Sequence, residues 1–103
     1  MSYRQEDLRS IAFHRAIANK LRDNPALLNV AFENIERWKR LGYARSSWVL
    51  LDKWQVLLRG SFDELLSKMT EDSDTMQQLR QSTPFAGILT NAERSEVIEQ
   101  TRS

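Results

Sequence analysis

At 103 residues the chain can close around one modest hydrophobic core but not two, so a single domain spanning 1–103 is expected, with an ordered core from about residue 6 to about residue 99. Hydrophobic residues make up 41% of the chain and charged residues 28%, with three Trp among the aromatics, which excludes a disordered protein. The absence of cysteine excludes disulfides and thiolate metal sites, and a formal charge of +1 excludes a strongly polyanionic or polycationic chain.

The periodicity predicts a first helix from Glu6 to Arg22, with Ile11, Phe13, Ile17, Ala18 and Leu21 inward and Arg9, Arg15, Lys20 and Arg22 outward. Glu6 and Asp7 suit the positive end of its dipole. Asn24-Pro25 marks a boundary, because Asn can cap and Pro at a first helical position forfeits only an amide with no partner there. The second helix, Pro25 to Leu41, is the most regular amphipath: Leu27, Leu28, Ala31, Phe32, Ile35 and Trp38 lie on one face. Gly42 follows, where a left-handed residue is expected, and Tyr43 to Ser47 connect to the next helix.

That central helix starts near Ser46 or Ser47 and ends at Gly60. Leu50, Leu51, Trp54, Leu57 and Leu58 share an arc of roughly 120° and face the core. The other side carries Asp52, Lys53, Gln55 and Arg59, but Trp48, Val49 and Val56 lie among them. A helix apolar on one face and half apolar on the other is either enclosed in a bundle or shared with a partner. Ser61-x-x-Glu64 reads as a capping box opening a short fourth helix, with Phe62, Leu65, Leu66 and Met69 inward. The Glu71–Asp74 segment turns and caps a fifth helix holding Met76 and Leu79. Pro84 stops that helix near Gln81. A second capping box, Thr90-x-x-Glu93, opens a last helix whose only apolar residues are Ala92, Val97 and Ile98, making it the least anchored element. No β-alternation, hairpin dipeptide or internal repeat interrupts this pattern. The expected fold is all-α, a compact bundle of five to six short helices.

Catalytic chemistry has little to draw on. The chain has one histidine, His14, which sits beside Ile17, Ala18 and Leu21 and reads as a boundary residue with a satisfied hydrogen bond. No second histidine is available for a metal, and EF-hand, P-loop and dinucleotide spacings are absent. Glu33/Glu36 and Glu93/Glu96 stand among other charges and read as solvated faces. Neither Ser46-Ser47 nor Ser82-Thr83 has a base nearby in the sequence. A non-enzymatic protein without catalytic residues, cofactor or metal is expected. No run approaches the roughly 18 apolar residues of a membrane span. The N-terminus lacks the apolar stretch of a signal peptide, so a cytoplasmic location with no membrane partner is expected.

Charge is uneven along the chain. Residues 1–59 hold eleven Lys/Arg against six Asp/Glu, and residues 60–103 hold four against eight. Arg37, Lys39, Arg40 and Arg45 cluster around the turn between the second and third helices, where a helix–turn–helix would set cations against phosphates. The segment Leu79-Arg-Gln-Ser-Thr-Pro-Phe-Ala-Gly-Ile-Leu89 admits two readings. Either Phe85, Ile88 and Leu89 plug the bottom of the bundle, or Arg80, Gln81 and Phe85 are presented to a partner as an aromatic anchor with a flanking cation.

That segment, with the tryptophan-bearing helix and the Ser61-x-x-Glu64 start before it, resembles a group of small uncharacterised bacterial all-helical proteins. In these an Arg/Trp-containing helix, an acidic turn and a Leu-Arg-Gln-Ser/Thr-x-Pro-Phe-Ala-Gly-x-Leu run follow in that order. The likeness covers about Trp38 to Arg94. Such proteins are similar to the antitoxins of toxin–antitoxin operons, which bind and silence an enzyme such as a nucleotidyltransferase, kinase or ribonuclease. Many antitoxins also carry a long disordered neutralising arm, which this chain does not show, so regulation of its own operon is not part of the expectation. What the resemblance implies is an antitoxin-like inhibitor that occludes a partner enzyme. In that reading Trp48, Val49 and Val56 supply apolar contact and Arg80, Gln81 and Phe85 supply specificity. The alternatives are a small DNA-binding regulator using Arg37, Lys39, Arg40 and Arg45, and a homodimer built on the outer face of the central helix.

Overall fold

The computed structural model describes residues 2–43 and 45–102, with side chains from residue 4 onward. Six α-helices follow one another, with no strand among the described residues. They are α1 (Ser2–Asp23), α2 (Leu28–Arg40), α3 (Trp48–Arg59), α4 (Phe62–Met69), α5 (Asp74–Arg80) and α6 (Asn91–Gln100). Single 3-10 turns at Pro25–Leu27 and Arg45–Ser47 lead into α2 and α3. Thus Pro25 opens a 3-10 turn rather than α2 itself, and the side chain of Asn24 makes no capping bond.

Local chemistry accounts for the boundaries. Leu41 ends α2 and Gly42 follows at φ 76°, with Gly42 N–H donating to the Lys39 carbonyl and Tyr43 N–H to that of Trp38. This is the Schellman arrangement, which satisfies two of the helix's last carbonyls. Ser61, Ser73 and Thr90 cap α4, α5 and α6 by accepting from Glu64, Met76 and Glu93 N–H. At α6 the box closes: the Glu93 carboxylate accepts in return from Thr90 N–H. Lys20 also reaches Glu93 at 2.6 Å, and these bonds hold its carboxyl down at about 2.

One cluster of buried side chains runs through the molecule. It draws Ile17, Ala18 and Leu21 from α1, Ala31 and Ile35 from α2, and Leu51, Trp54 and Leu58 from α3. Helices α4 and α5 add Leu65, Leu66, Met69, Met76 and Leu79. Helix α1 packs against α4, α5 and α6, while α3 packs against α2, α4 and α5. The radius of gyration, 13.4 Å, is close to the ~13 Å of a folded domain this long. Helix α6 buries only Val97 fully, and Ala92 and Ile98, expected inside, are exposed. It is tied to α1 instead by polar contacts: the Lys20–Glu93 pair, and Arg9 Nε donating to Thr101 Oγ1 at 3.1 Å.

Beyond α5, residues 81–89 run without regular structure and bury Pro84, Phe85, Ile88 and Leu89, so their backbone and the last carbonyls of α5 need partners from elsewhere. Three helix side chains supply them, and a fourth, His14, holds the Thr83 side chain. Trp54 Nε1 donates to the Leu79 carbonyl at 2.7 Å. Asn34 Nδ2 donates to the carbonyls of Pro84 and Ala86, both at 2.9 Å. Lys20 Nζ donates to the Ile88 carbonyl at 2.8 Å, and His14 Nε2 meets Thr83 Oγ1 at 2.9 Å. Ile88 N–H returns to the Phe85 carbonyl across a turn that places Gly87 at φ 88°. A side chain at that φ would cost about 1–2 kcal/mol.

Candidate functional site

The ten residues singled out from the sequence fall in different places. Phe85 is 2% exposed and Arg80 is 3% exposed, so the expectation that they are presented to a partner is corrected. Phe85 meets Trp54 edge-on with ring centroids 5.3 Å apart, and packs edge-on to His14 as well. The plug reading of this segment is the one the structure shows, because Ile88 and Leu89 are buried beside it.

Arg80 is a structural cation. Its Nη1 donates to the carbonyls of Met69, at the C-terminal end of α4, and of Glu71 just beyond. Its Nη2 lies 3.4 Å from Asp7 Oδ1. A cation at a helix C-terminus complements both the dipole and the unpaired carbonyls there. Asp7, read from the sequence as a dipole partner, is instead the buried counter-ion, and Arg4 reaches its other oxygen at 3.1 Å. Gln81, by contrast, is exposed and lines a shallow groove of about 360 Å³ with Trp38, Tyr43 and Ser82.

His14 is interior rather than at a boundary, 3% exposed and stacked on Trp54. Its Nδ1 lies 2.7 Å from the Ser10 carbonyl, which can only accept, so that nitrogen carries the proton. Nε2 is then the acceptor, and the Thr83 hydroxyl donates to it. Thr83 thus has the base that the sequence did not show. A hydroxyl, an imidazole and an orienting group in line is the geometry of nucleophile activation. The electrostatics oppose it. Burial, with the Arg80 cation adding to it, lowers the imidazole pKa to about 4 despite the Ser10 bond. A base that weak takes a hydroxyl proton poorly, and a carbonyl in the third position does not stabilise an imidazolium as a carboxylate does. The arrangement anchors Thr83 and leaves Phe85 N–H a weak partner on the same oxygen, 3.4 Å away. Among the described residues no three His, Cys, Asp or Glu side chains gather where they could hold a metal ion.

The outer face of α3 is different. Val49 is 65% exposed and Val56 72% exposed, and their seven-residue spacing places them on one stripe with Lys53 between. Trp48 is half-buried: its Nε1 donates to the Tyr43 carbonyl and the Arg45 guanidinium lies 5.5 Å over its ring. Leu41 and Tyr43, in the turn before α3, are also exposed. Beside Val56 a groove of about 450 Å³ opens between α3, α4 and α5, with Leu57, Met76 and Leu79 among its walls.

Residues 37–59 hold six Lys/Arg against a single acid, Asp52, so the excess positive charge of the N-terminal half lies here. The four cations considered for nucleic acid are each engaged. Arg37 donates to Asn34 Oδ1 at 2.6 Å, which turns the Asn34 amide toward Pro84 and Ala86. Lys39 pairs with Asp52 and joins α2 to α3. Arg40 lies 3.8 Å from Glu36, and Arg45 covers Trp48. Lys53 and Arg59, which the sequence reading did not single out, are exposed and outside any ion pair among the described residues. No described helix is long and apolar enough to cross a membrane. In comparisons with known proteins, no family model, no curated protein and no solved structure matches this chain.

Proposed function

We propose that this protein is a non-enzymatic interaction module whose α3 outer face covers an acidic, partly apolar surface of a partner protein. The observation that carries the reading is the pair Val49 and Val56, more than half exposed on the same stripe of a helix whose opposite face holds Trp54 in the core. Fully burying one such side chain is worth about 1.5–3 kcal/mol, so the stripe is a standing source of binding energy. Lys53, between the two valines, and Arg59 carry positive charge outside any ion pair among the described residues, which favours carboxylates on the partner and speeds encounter. Phosphate is a poorer fit, because the exposed stripe beside those cations is apolar, and in the α2–α3 turn Lys39 and Arg40 already face the Asp52 and Glu36 carboxylates.

In its finer form the partner is an enzyme and the covered surface its active site, the antitoxin-like inhibition that the resemblance implies. The test is capture from the native host by the wild-type chain and by the Val49→Asp/Val56→Asp variant. Both substituted sites are solvent-facing, so stability stays within about 0.5 kcal/mol of wild type. The expected result is an enzyme retained by the wild type, lost by the variant, and inhibited when the purified chain is added back. Equal retention by both proteins refutes the α3 face. Retained protein without inhibition refutes occlusion. A doubled mass in light scattering that the variant abolishes assigns the same face to a homodimer instead.

A further inference from the structure

A second site lies away from α2 and α3. Where α1, the 83–87 turn and α6 meet, a cleft of about 370 Å³ opens, within the roughly 300–1,000 Å³ range of small-molecule sites. Phe13, Ile17 and Leu89 form an apolar wall, and His14 and Thr83 lie among the polar lining. These two polar groups are already bonded to each other, so the interior of the cleft offers little to a strongly hydrated ligand.

Its charges are simple to account for. Arg9 and Arg94 line the cleft, and neither has a carboxylate within ion-pair distance among the described residues. Arg94 lies 5.0 Å over the Phe13 ring, and Arg9 donates through Nε to Thr101. The buried Arg80 is balanced by Asp7, and His14 is neutral at pH 7. Glu6 is the one acidic side chain in the lining. Two cations and one carboxylate leave a single positive charge, which a monoanion matches and a phosphate dianion exceeds.

We propose that this cleft binds a small monocarboxylate with a compact apolar body, its carboxylate held by Arg9 and Arg94 and its body laid against Phe13, Ile17 and Leu89. The guanidinium fork suits a carboxylate in geometry and charge, and the wall removes the apolar body from water. Ligand binding here is independent of the α3 face, since no residue of α2 or α3 lines the cleft.

The chain carries its own reporter, because His14 is its single histidine and its ring signals in NMR need no further assignment. The probe is 3-phenylpropionate, titrated into the full chain at about pH 8 beside its neutral amide and beside inorganic phosphate, which is mostly the dianion there. Saturable shifts of the His14 ring with the acid are expected. The neutral amide should bind about tenfold more weakly, the equivalent of one lost charge-assisted bond. Arg94→Gln, at an exposed position, and Arg9→Gln, at a half-buried one that also serves Thr101, should each weaken the acid by a similar factor. An unmoved His14 ring at saturating solubility of the acid overturns the site. Equal affinity for acid and amide overturns the role of the arginines, and phosphate binding as tight as the acid overturns the monoanion preference. The amide and phosphate arms use the wild-type chain, so they decide the matter even where a variant folds poorly.

Discussion

His14 makes a sharp prediction about acid sensitivity. In the unfolded chain its imidazole titrates at about 6.5. In the folded protein burial against Trp54 and Phe85, with the Arg80 cation nearby, lowers that to about 4. Above pH 6.5 both states are neutral and the residue has no pH effect. Between 6.5 and 4 the unfolded chain binds a proton that the folded one does not, so stability falls as pH falls. At 1.36 kcal/mol per unit, the loss is about 2 kcal/mol by pH 5 and about 3 kcal/mol by pH 4. For a domain of this size that is a large part of the roughly 5–15 kcal/mol total, and 2 kcal/mol lowers the melting temperature by roughly 10 °C. The pH 7 to 5 window isolates the histidine. Glu71, Asp72 and Glu93 have lowered carboxyl pKa values, through hydrogen bonds from Ser73 and Lys68, from Arg4, and from Lys20 and the Thr90 amide. Their contributions are present above the unfolded values, 4.5 for Glu71 and Glu93 and 3.8 for Asp72, and are lost as pH falls below them. The assay is urea unfolding of wild type and His14→Gln at pH 7, 6 and 5. The variant is less stable at pH 7, but its stability should be nearly flat across this window while the wild type declines. Parallel pH profiles, or a folded-state titration of the His14 ring near 6.5, would refute the reasoning.

Two further perturbations test the interior. Asn34→Ala leaves the carbonyls of Pro84 and Ala86 without their donor and should cost about 3 kcal/mol in urea unfolding, with faster amide exchange at residues 85–88. Arg80→Met leaves Asp7, whose side chain is 4% exposed, with Arg4 as its one remaining cation among the described residues and removes the donor to the Met69 and Glu71 carbonyls, which should cost about 3 kcal/mol in the same assay. Adding Asp7→Leu should recover most of that loss, because Arg80 Nε is buried without an acceptor among the described residues and the pair is not ideally satisfied.

The helices were legible because each is written locally. The α2 stripe, Gly42, the Ser61 cap and the Thr90–Glu93 box all act within a few residues, and all stand where the pattern puts them. The outward valines of α3 were legible for the same reason: helical spacing alone separates Val49 and Val56 from Leu51, Trp54 and Leu58. What escaped was long-range pairing. An exposed-looking Arg80 is indistinguishable in sequence from a surface cation, and only the approach of Asp7, 73 positions away, makes it an interior one. His14 and Thr83 are 69 positions apart, and Asn34 and Pro84 are 50 apart, so no window of sequence contains either pair. Phe85 was assigned to two alternatives for the same reason: an aromatic after proline suits a plug and an anchor equally until its neighbours are known.

The polar ties to the Leu79–Leu89 segment also reverse the usual advice on where a chain tolerates change. Irregular connections are ordinarily the safest places to splice in a tag or cut a new terminus. Here the longest unhelical stretch is gripped by Asn34, Lys20 and His14, so an insertion among residues 82–88 breaks several tethers at once. The exposed Ser61 and Asn24 corners, fastened only to adjacent helix ends, are the better sites for reworking this molecule.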